Sequence, residues 1–151
     1  MVSSDLTLLF AALSAACDAE VRARMAAAGH DRVRTVHGYV FQHLLQGPVR
    51  VSDLAGLLGM TPQGASKVAA EMERAGYVAR RTDPGDQRAR MIELTPYGRA
   101  AIEAGRTARA EVAAGMLGLL DAPEEFLASL DRLARETGAL SDLLSRRLRP
   151  Q

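Results

Sequence analysis

Residues 59–99 read GMTPQGASKVAAEMERAGYVARRTDPGDQRARMIELTPYGR. Thr61-Pro62 is a helix start. A threonine hydroxyl can accept an unpaired N–H of the first turn, and proline at the first helical position has no N–H to leave unpaired. Ala65, Val68, Ala69 and Met72 follow at spacings of three and four, which is one apolar stripe along a helix. Gly76 ends it. Two β-prone runs, 77–82 and 89–94, flank the turn residues Asp83, Pro84, Gly85 and Asp86, so a hairpin is expected there. Thr95-Pro96 repeats the cap-then-proline start and opens another helix.

Upstream, residues 5–27 read as a helix with Leu6, Leu9, Leu13, Ala16 and Cys17 recurring on one side. A second helix is expected over 32–46, with Val33, Val36, Val40 and Leu44 on one face, stopped by Gly47-Pro48. Residues 49–51 are β-prone. Ser52 is the expected cap of a short helix burying Leu54, Ala55 and Leu58, and Gly59 turns the chain. Downstream, a helix is expected over 96–120. Asp121 and Glu124 stand at capping-box spacing before a final helix running to about 148, with Leu130, Leu133, Thr137, Leu140 and Leu144 at heptad-like steps. The order is α-α-(β)-α-α-β-β-α-α. The expected fold is mainly α with a small β-hairpin wing, in a single domain spanning 1–151.

Composition fits that reading. The chain has 151 residues, 48% hydrophobic and 25% charged, enough for one domain with a real core and unlike a disordered chain. It has no apolar run long enough for a membrane-spanning helix, so no membrane partner is expected. Asp5 stands where a signal peptide would be basic, and Cys17 is the only cysteine, which rules out an intrachain disulfide; a cytoplasmic location is expected. Net charge is only +1. Its distribution says more: residues 61–99 carry seven basic against five acidic residues, whereas 1–60 carry five against five and 100–151 seven against eight.

Two short helices joined through Leu58, Gly59, Met60 and Thr61 have the layout of a helix-turn-helix, whose second helix enters the major groove of DNA. With the apolar stripe buried, the exposed side of that helix carries Thr61, Gln63, Ser66, Lys67 and Arg74. Glutamine can pair with adenine through two bonds, serine and threonine serve bases or phosphates, and lysine suits phosphate. Around the hairpin cluster Arg80, Arg81, Arg88 and Arg90. Arginine on a thin hairpin can enter the narrow, strongly negative minor groove. Asp86, two residues before Arg88, is expected to hold that side chain extended through a salt bridge.

Taken together these pieces resemble the MarR family of bacterial transcription regulators. The family's wing motif, Asp-Pro-x-Asp-x-Arg followed by Leu-Thr-x-x-Gly, stands here as Asp83, Pro84, Asp86 and Arg88, then Leu94, Thr95 and Gly98. Met72 to Val78 are similar to the family's passage from reading helix into wing. One departure lies at the second helix, where a Thr-Pro-like start is replaced by Asp31-Arg32-Val33-Arg34-Thr35. The resemblance implies a winged helix-turn-helix over 32–95, flanked by dimerisation helices at 1–30 and 100–148. It further implies a homodimer reading a pseudo-palindromic operator in double-stranded DNA, and a repressor released by a small aromatic or apolar anionic effector. A winged-helix protein-interaction module without DNA binding is the alternative; retention of Lys67, Arg88 and Arg90 argues against it.

Switch and catalytic candidates are few. Cys17 is read as buried and inert, because an ungapped alignment puts Leu9 and Arg34 where the family's peroxide sensors place their cysteine and a supporting tyrosine. His37 and His43 lie six residues apart and do not share a helix face, so no metal site is expected. His37 and Phe10 are the expected border of an effector cavity between the dimer helices and the reading module. With no nucleophile–base pair, phosphate loop or cofactor fingerprint, neither catalysis nor a cofactor is expected.

Overall fold

The computed structural model describes residues 5–145. Its elements are α1 (Leu6–Ala27), α2 (Thr35–Leu44), β1 (Val49–Arg50), α3 (Val51–Leu58), α4 (Pro62–Arg74), β2 (Val78–Asp83), β3 (Asp86–Leu94), α5 (Pro96–Leu117), α6 (Pro123–Glu136) and α7 (Ala139–Leu144). The strands form an antiparallel sheet in the order β1-β3-β2. The β-prone residues 49–51 thus supply a third strand, two residues long, with Val49 opposite Ile92 and Arg50 opposite Met91.

Local chemistry sets most boundaries. The Asp5 carboxylate accepts the N–H groups of Thr7 and Leu8 and starts α1. Thr61 and Thr95 cap α4 and α5, each accepting from a glycine N–H three residues on, with proline next in line. Gly59 takes φ 67° at the end of α3, a left-handed conformation that glycine adopts without strain, and so turns the chain into the reading helix.

Four expectations need correction. The second helix begins at Thr35, not residue 32, because Gly29 to Arg34 form the turn out of α1. The cap of α3 is Arg50 in extended conformation, since Val51 is already helical, so Ser52 lies inside the helix. Asp121 and Glu124 form no capping box: the cap position falls on Ala122, which has no side-chain acceptor. The final helix breaks at Gly138, whose φ of 74° cannot continue a right-handed helix, into α6 and α7. Residues 146–148, where it was expected to end, lie outside the described residues.

The core is continuous and central. Val40, Phe41 and Leu44 of α2 meet Leu54 and Leu58 of α3, the α4 stripe, Ile92 and Leu94 of β3, and Ala101 and Ile102 of α5. All four expected stripe residues of α4 are buried. Tyr77, also buried, stacks on Tyr97 with ring centroids 5.0 Å apart and meets Phe41 edge-on at 5.8 Å. Burial pushes the Tyr77 phenol up to about 12, with its hydrogen bond to Tyr97 contributing. α1 packs along α5. Yet the stripe expected on α1 is not covered: Leu6, Leu9 and Leu13 are exposed, and only Met25 is buried on that helix.

Candidate nucleic-acid interface

The reading helix is built from its cap outward. Thr61 Oγ1 accepts the Gly64 N–H at 3.1 Å, which commits this hydroxyl to starting the helix. Gln63, Ser66 and Lys67 are exposed on the side opposite the buried stripe. Arg74 lies in the last turn, about 16 Å along the axis from Gln63. There it borders a shallow recess shared with Arg32, Arg34, His37 and Glu71. The structure therefore brings Thr61, Gln63, Ser66 and Lys67 together and sets Arg74 apart from them.

The recess is an α2–α4 clamp. Arg34 reaches Glu71 at 2.6 Å, and His37 Nε2 stands 3.8 Å from the same carboxylate oxygen. His37 Nδ1 accepts the Arg34 N–H at 3.2 Å, so the proton of the neutral ring sits on Nε2. Burial holds the His37 imidazole below the usual histidine range; the neighbouring Arg34 acts in the same direction, and Glu71 opposes both.

In the wing, the register pairs Val78 with Leu94 and runs to Thr82 with Arg90, then shifts so that Asp83 faces Asp86. Asp83 is buried. Its carboxylate accepts the Gly85 N–H at 2.8 Å and the Arg50 Nε–H at 2.6 Å, and these bonds hold it below the usual carboxylate range, the Gly85 bond contributing most. Other arginines are partnered by acids: Arg80 with Glu73 at 3.0 Å and Arg81 with Glu93 at 3.2 Å. Arg90 instead donates to Thr82 Oγ1 and the Gln87 carbonyl.

The expected Asp86–Arg88 side-chain bridge is absent among the described residues. Asp86 accepts the backbone N–H of Arg88 at 2.9 Å, a local turn bond, which leaves the guanidinium to solvent. Among the described residues no carboxylate pairs with Lys67, Arg74, Arg88 or Arg90, although Arg34, Arg50, Arg80 and Arg81 near them are each neutralised. Lys67, Arg88 and Arg90 thus offer uncompensated positive charge on reading helix and wing, as phosphate and groove binding requires. Sequence reasoning missed the Arg50–Asp83 pair, because its partners lie 33 residues apart and only the sheet brings them together.

The Leu94-Thr95-x-x-Gly98 segment is the wing's anchor. Thr95 Oγ1 donates to the Gly76 carbonyl at 2.6 Å while accepting from Gly98 N–H, and Thr95 N–H donates to the Tyr77 carbonyl. A Cβ on Gly98 would stand 2.0 Å from that Tyr77 oxygen, so only glycine fits.

Between α1, α2 and α5 lies a cavity of about 670 Å³, bordered by Cys17, Arg22, His30, Phe41 and Arg109 among others. Neither Phe10 nor His37 lines it: Phe10 is exposed on α1, and His37 borders the recess beside Glu71. Buried His30 has no hydrogen-bond partner for Nδ1. Cys17 is half-buried, not fully covered as expected, with its sulfur 3.3 Å from Met116 Sδ. The histidines form no metal-binding group among the described residues, and no described helix is long and apolar enough to cross a membrane.

Residues 34–89, which contain the reading module, match the model of the MarR family. Among solved structures, YusO from Bacillus subtilis is similar with a TM-score of 0.71 and 23% identity, over 90% of this chain and 94% of that one. A MepR variant from S. aureus bound to an oligodeoxyribonucleotide gives 0.59 and 24%, over 91% and 96%. The heme sensor protein PefR from Streptococcus agalactiae, in complex with heme, gives 0.67 and 15%, over 89% and 92%. These likenesses show a common fold. Among curated proteins, none matches the sequence. The reading module thus matches the MarR family's model, and nearly the whole chain shares the winged-helix fold of these solved structures.

Proposed function

We propose that the protein is a homodimeric, sequence-specific DNA-binding repressor whose grip on its operator is released by a small effector. One observation carries the DNA-binding part. The reading helix and wing carry Lys67, Arg88 and Arg90 without acidic partners, while Arg34, Arg50, Arg80 and Arg81 around them are each paired with a carboxylate. Gln63 and Ser66 supply base contacts in the major groove, and Arg88 and Arg90 reach the backbone and the minor groove beside it. The solved MepR variant bound to an oligodeoxyribonucleotide shares this fold.

Dimerisation is supported by the apolar side chains this single chain leaves in solvent: Leu6, Leu9, Phe10 and Leu13 on α1, and Phe126, Leu133 and Leu144 near the other end. A two-fold dimer presents two reading helices to half-sites about 34 Å apart on one face of the duplex.

Effector release is supported by the cavity beside α2. Its lining joins apolar side chains to Arg22, Arg34 and Arg109 against Asp18 and Asp31, a balance that leaves positive charge to meet a small apolar anion. Such a ligand shifts the spacing of the reading helices only by its preference for one spacing, and a tenfold shift takes about 1.4 kcal/mol. Gel-shift titration against fragments from upstream of the protein's own gene tests the reading, with non-specific competitor and repeated with salicylate-like and phenolic compounds. A retarded band that competitor does not remove, and that such a compound releases, is expected. Equal binding to every fragment would contradict specificity.

A further inference from the structure

We propose that Arg50 and Asp83 form a strap that fixes the direction of the wing relative to the reading helix, and that Arg88 depends on this strap to meet DNA. Arg50 is then a positioning residue; the proposal rests on the DNA-binding reading above.

The strap crosses the sheet. Arg50 lies opposite Met91, and Met91 opposite Arg81, so these three form one row over β1, β3 and β2. Asp83 stands two residues beyond Arg81, towards the turn. From Arg50 it is two strand spacings of about 4.8 Å across and two residues of about 3.3 Å along. An extended arginine bridges that gap, and the Arg50 guanidinium meets Asp83 Oδ2 through both Nε, at 2.6 Å, and a terminal nitrogen. The other carboxylate oxygen holds the Gly85 N–H in the turn.

Arg50 is also the residue that caps α3, the first helix of the helix-turn-helix. One ion pair therefore ties the start of the reading unit to the tip of the wing. The tie is needed because β1 ends at Arg50. Beyond it the wing is a two-stranded ribbon, which is marginally stable by itself. Arg88 sits on that ribbon. Asp86 holds its backbone N–H and not its guanidinium, so the charge goes wherever the ribbon points.

Asp83→Asn separates a strap from a simple charge effect, because asparagine keeps the acceptor for Gly85 while the ionic partner of Arg50 is lost. By charge alone, removing a carboxylate and releasing a guanidinium near DNA strengthens binding. The strap predicts the opposite sign: operator affinity falls about tenfold, with oligomeric mass unchanged and the melting temperature only slightly lowered. In an Arg88→Ala background the same change should then cost little, because the strap acts through Arg88. Arg50→Gln should reproduce the loss, and Arg50→Lys should recover part of it. A second readout needs no DNA. Limited trypsinolysis followed by mass spectrometry should show faster cleavage after Arg88 in Asp83→Asn than in the wild type. Unchanged cleavage after Arg88 overturns the strap whether or not the protein binds DNA. Wild-type binding with equal or tighter binding by Asp83→Asn, or an equal loss in the Arg88→Ala background, overturns it as well. Failure of the wild type on every duplex would instead count against the DNA-binding reading, and the cleavage result would still decide the strap.

Discussion

Met72 in α4 and Leu133 in α6 are both apolar residues on strongly amphipathic helices, and their surroundings are opposite. Met72 is fully buried in the core shared by α2, α3, β3 and α5, whereas Leu133 is 47% exposed and α6 buries no residue at all. Periodicity shows that a face is made to be covered. It does not show by what. The reading module covers its faces with its own chain, α5 closing the core with Ala101 and Ile102. α1 and α6 instead carry apolar side chains that no other described part of the chain covers.

The sharpest way to break that comparison is to charge the ends. On a lone chain, Leu9 and Leu133 face solvent, and replacing both by Asp changes stability little. In the dimer proposed here they are covered, and buried unpaired charges cost about 3–5 kcal/mol each. Leu9→Asp combined with Leu133→Asp should abolish the dimer in light scattering and lower the melting temperature. A dimer of unchanged mass and stability would remove the proposed interface.

Next in size is a change inside the module. Gly98→Ala forces a methyl group against the Tyr77 carbonyl, at 2.0 Å in the present geometry. Urea unfolding should show a loss of about 3 kcal/mol, the upper range for overpacking. A loss below about 1 kcal/mol would show that the wing root moves aside more readily than its bonding through Thr95 suggests.

Arg88→Ala leaves both the core and the ends alone. It should weaken operator binding by about 1–3 kcal/mol and reduce the salt slope by about one, with stability unchanged. Gln63→Ala should instead relax the choice of base at one position of each half-site. Normal binding by Arg88→Ala would remove the minor-groove role.

A smaller effect concerns pH. Because burial lowers the folded-state His37 value, the unfolded chain takes up the proton more readily. This residue's contribution to stability is therefore complete above the ordinary histidine value of about 6.5 and diminishes as pH falls below it. His37→Gln should flatten the dependence of melting temperature on pH between about 7.5 and 5.5. A dependence unchanged by the substitution would assign the effect to other groups. Smallest of all, Cys17→Ser exchanges one half-buried contact with Met116 and should keep DNA binding and effector response. Peroxide-induced release that this variant loses would make Cys17 a switch.

The parts legible in the sequence were those decided within a few residues. Thr61-Pro62 and Thr95-Pro96 start helices through bonds to glycine N–H groups three positions away, and the wing turn follows from Asp83, Pro84 and Gly85. Ser52 and Asp121 fail for a related reason. A good capping residue caps only where the backbone enters the helix, and entry was set by the β1–β3 pairing in one case and by Pro123 in the other. The site was legible as exposed residue types on a helix and a hairpin. Its charge balance was not, because Arg34–Glu71, Arg50–Asp83 and Arg80–Glu73 depend on which elements become neighbours. Likewise the cavity beside α2 takes Arg109 from α5 and Arg22 from α1, and no local pattern joins them.

The central claim is that this module reads a particular sequence as a pair. It is tested most directly by fluorescence anisotropy on a labelled duplex carrying the upstream fragment selected by gel-shift, beside a scrambled duplex of the same length, with stoichiometry measured well above the Kd. The account predicts two chains per duplex, and binding of the selected fragment at least about a thousandfold tighter than of the scrambled duplex. It also predicts an affinity that falls steeply between about 50 and 200 mM salt. One chain per duplex, or equal affinity for both sequences, would contradict it.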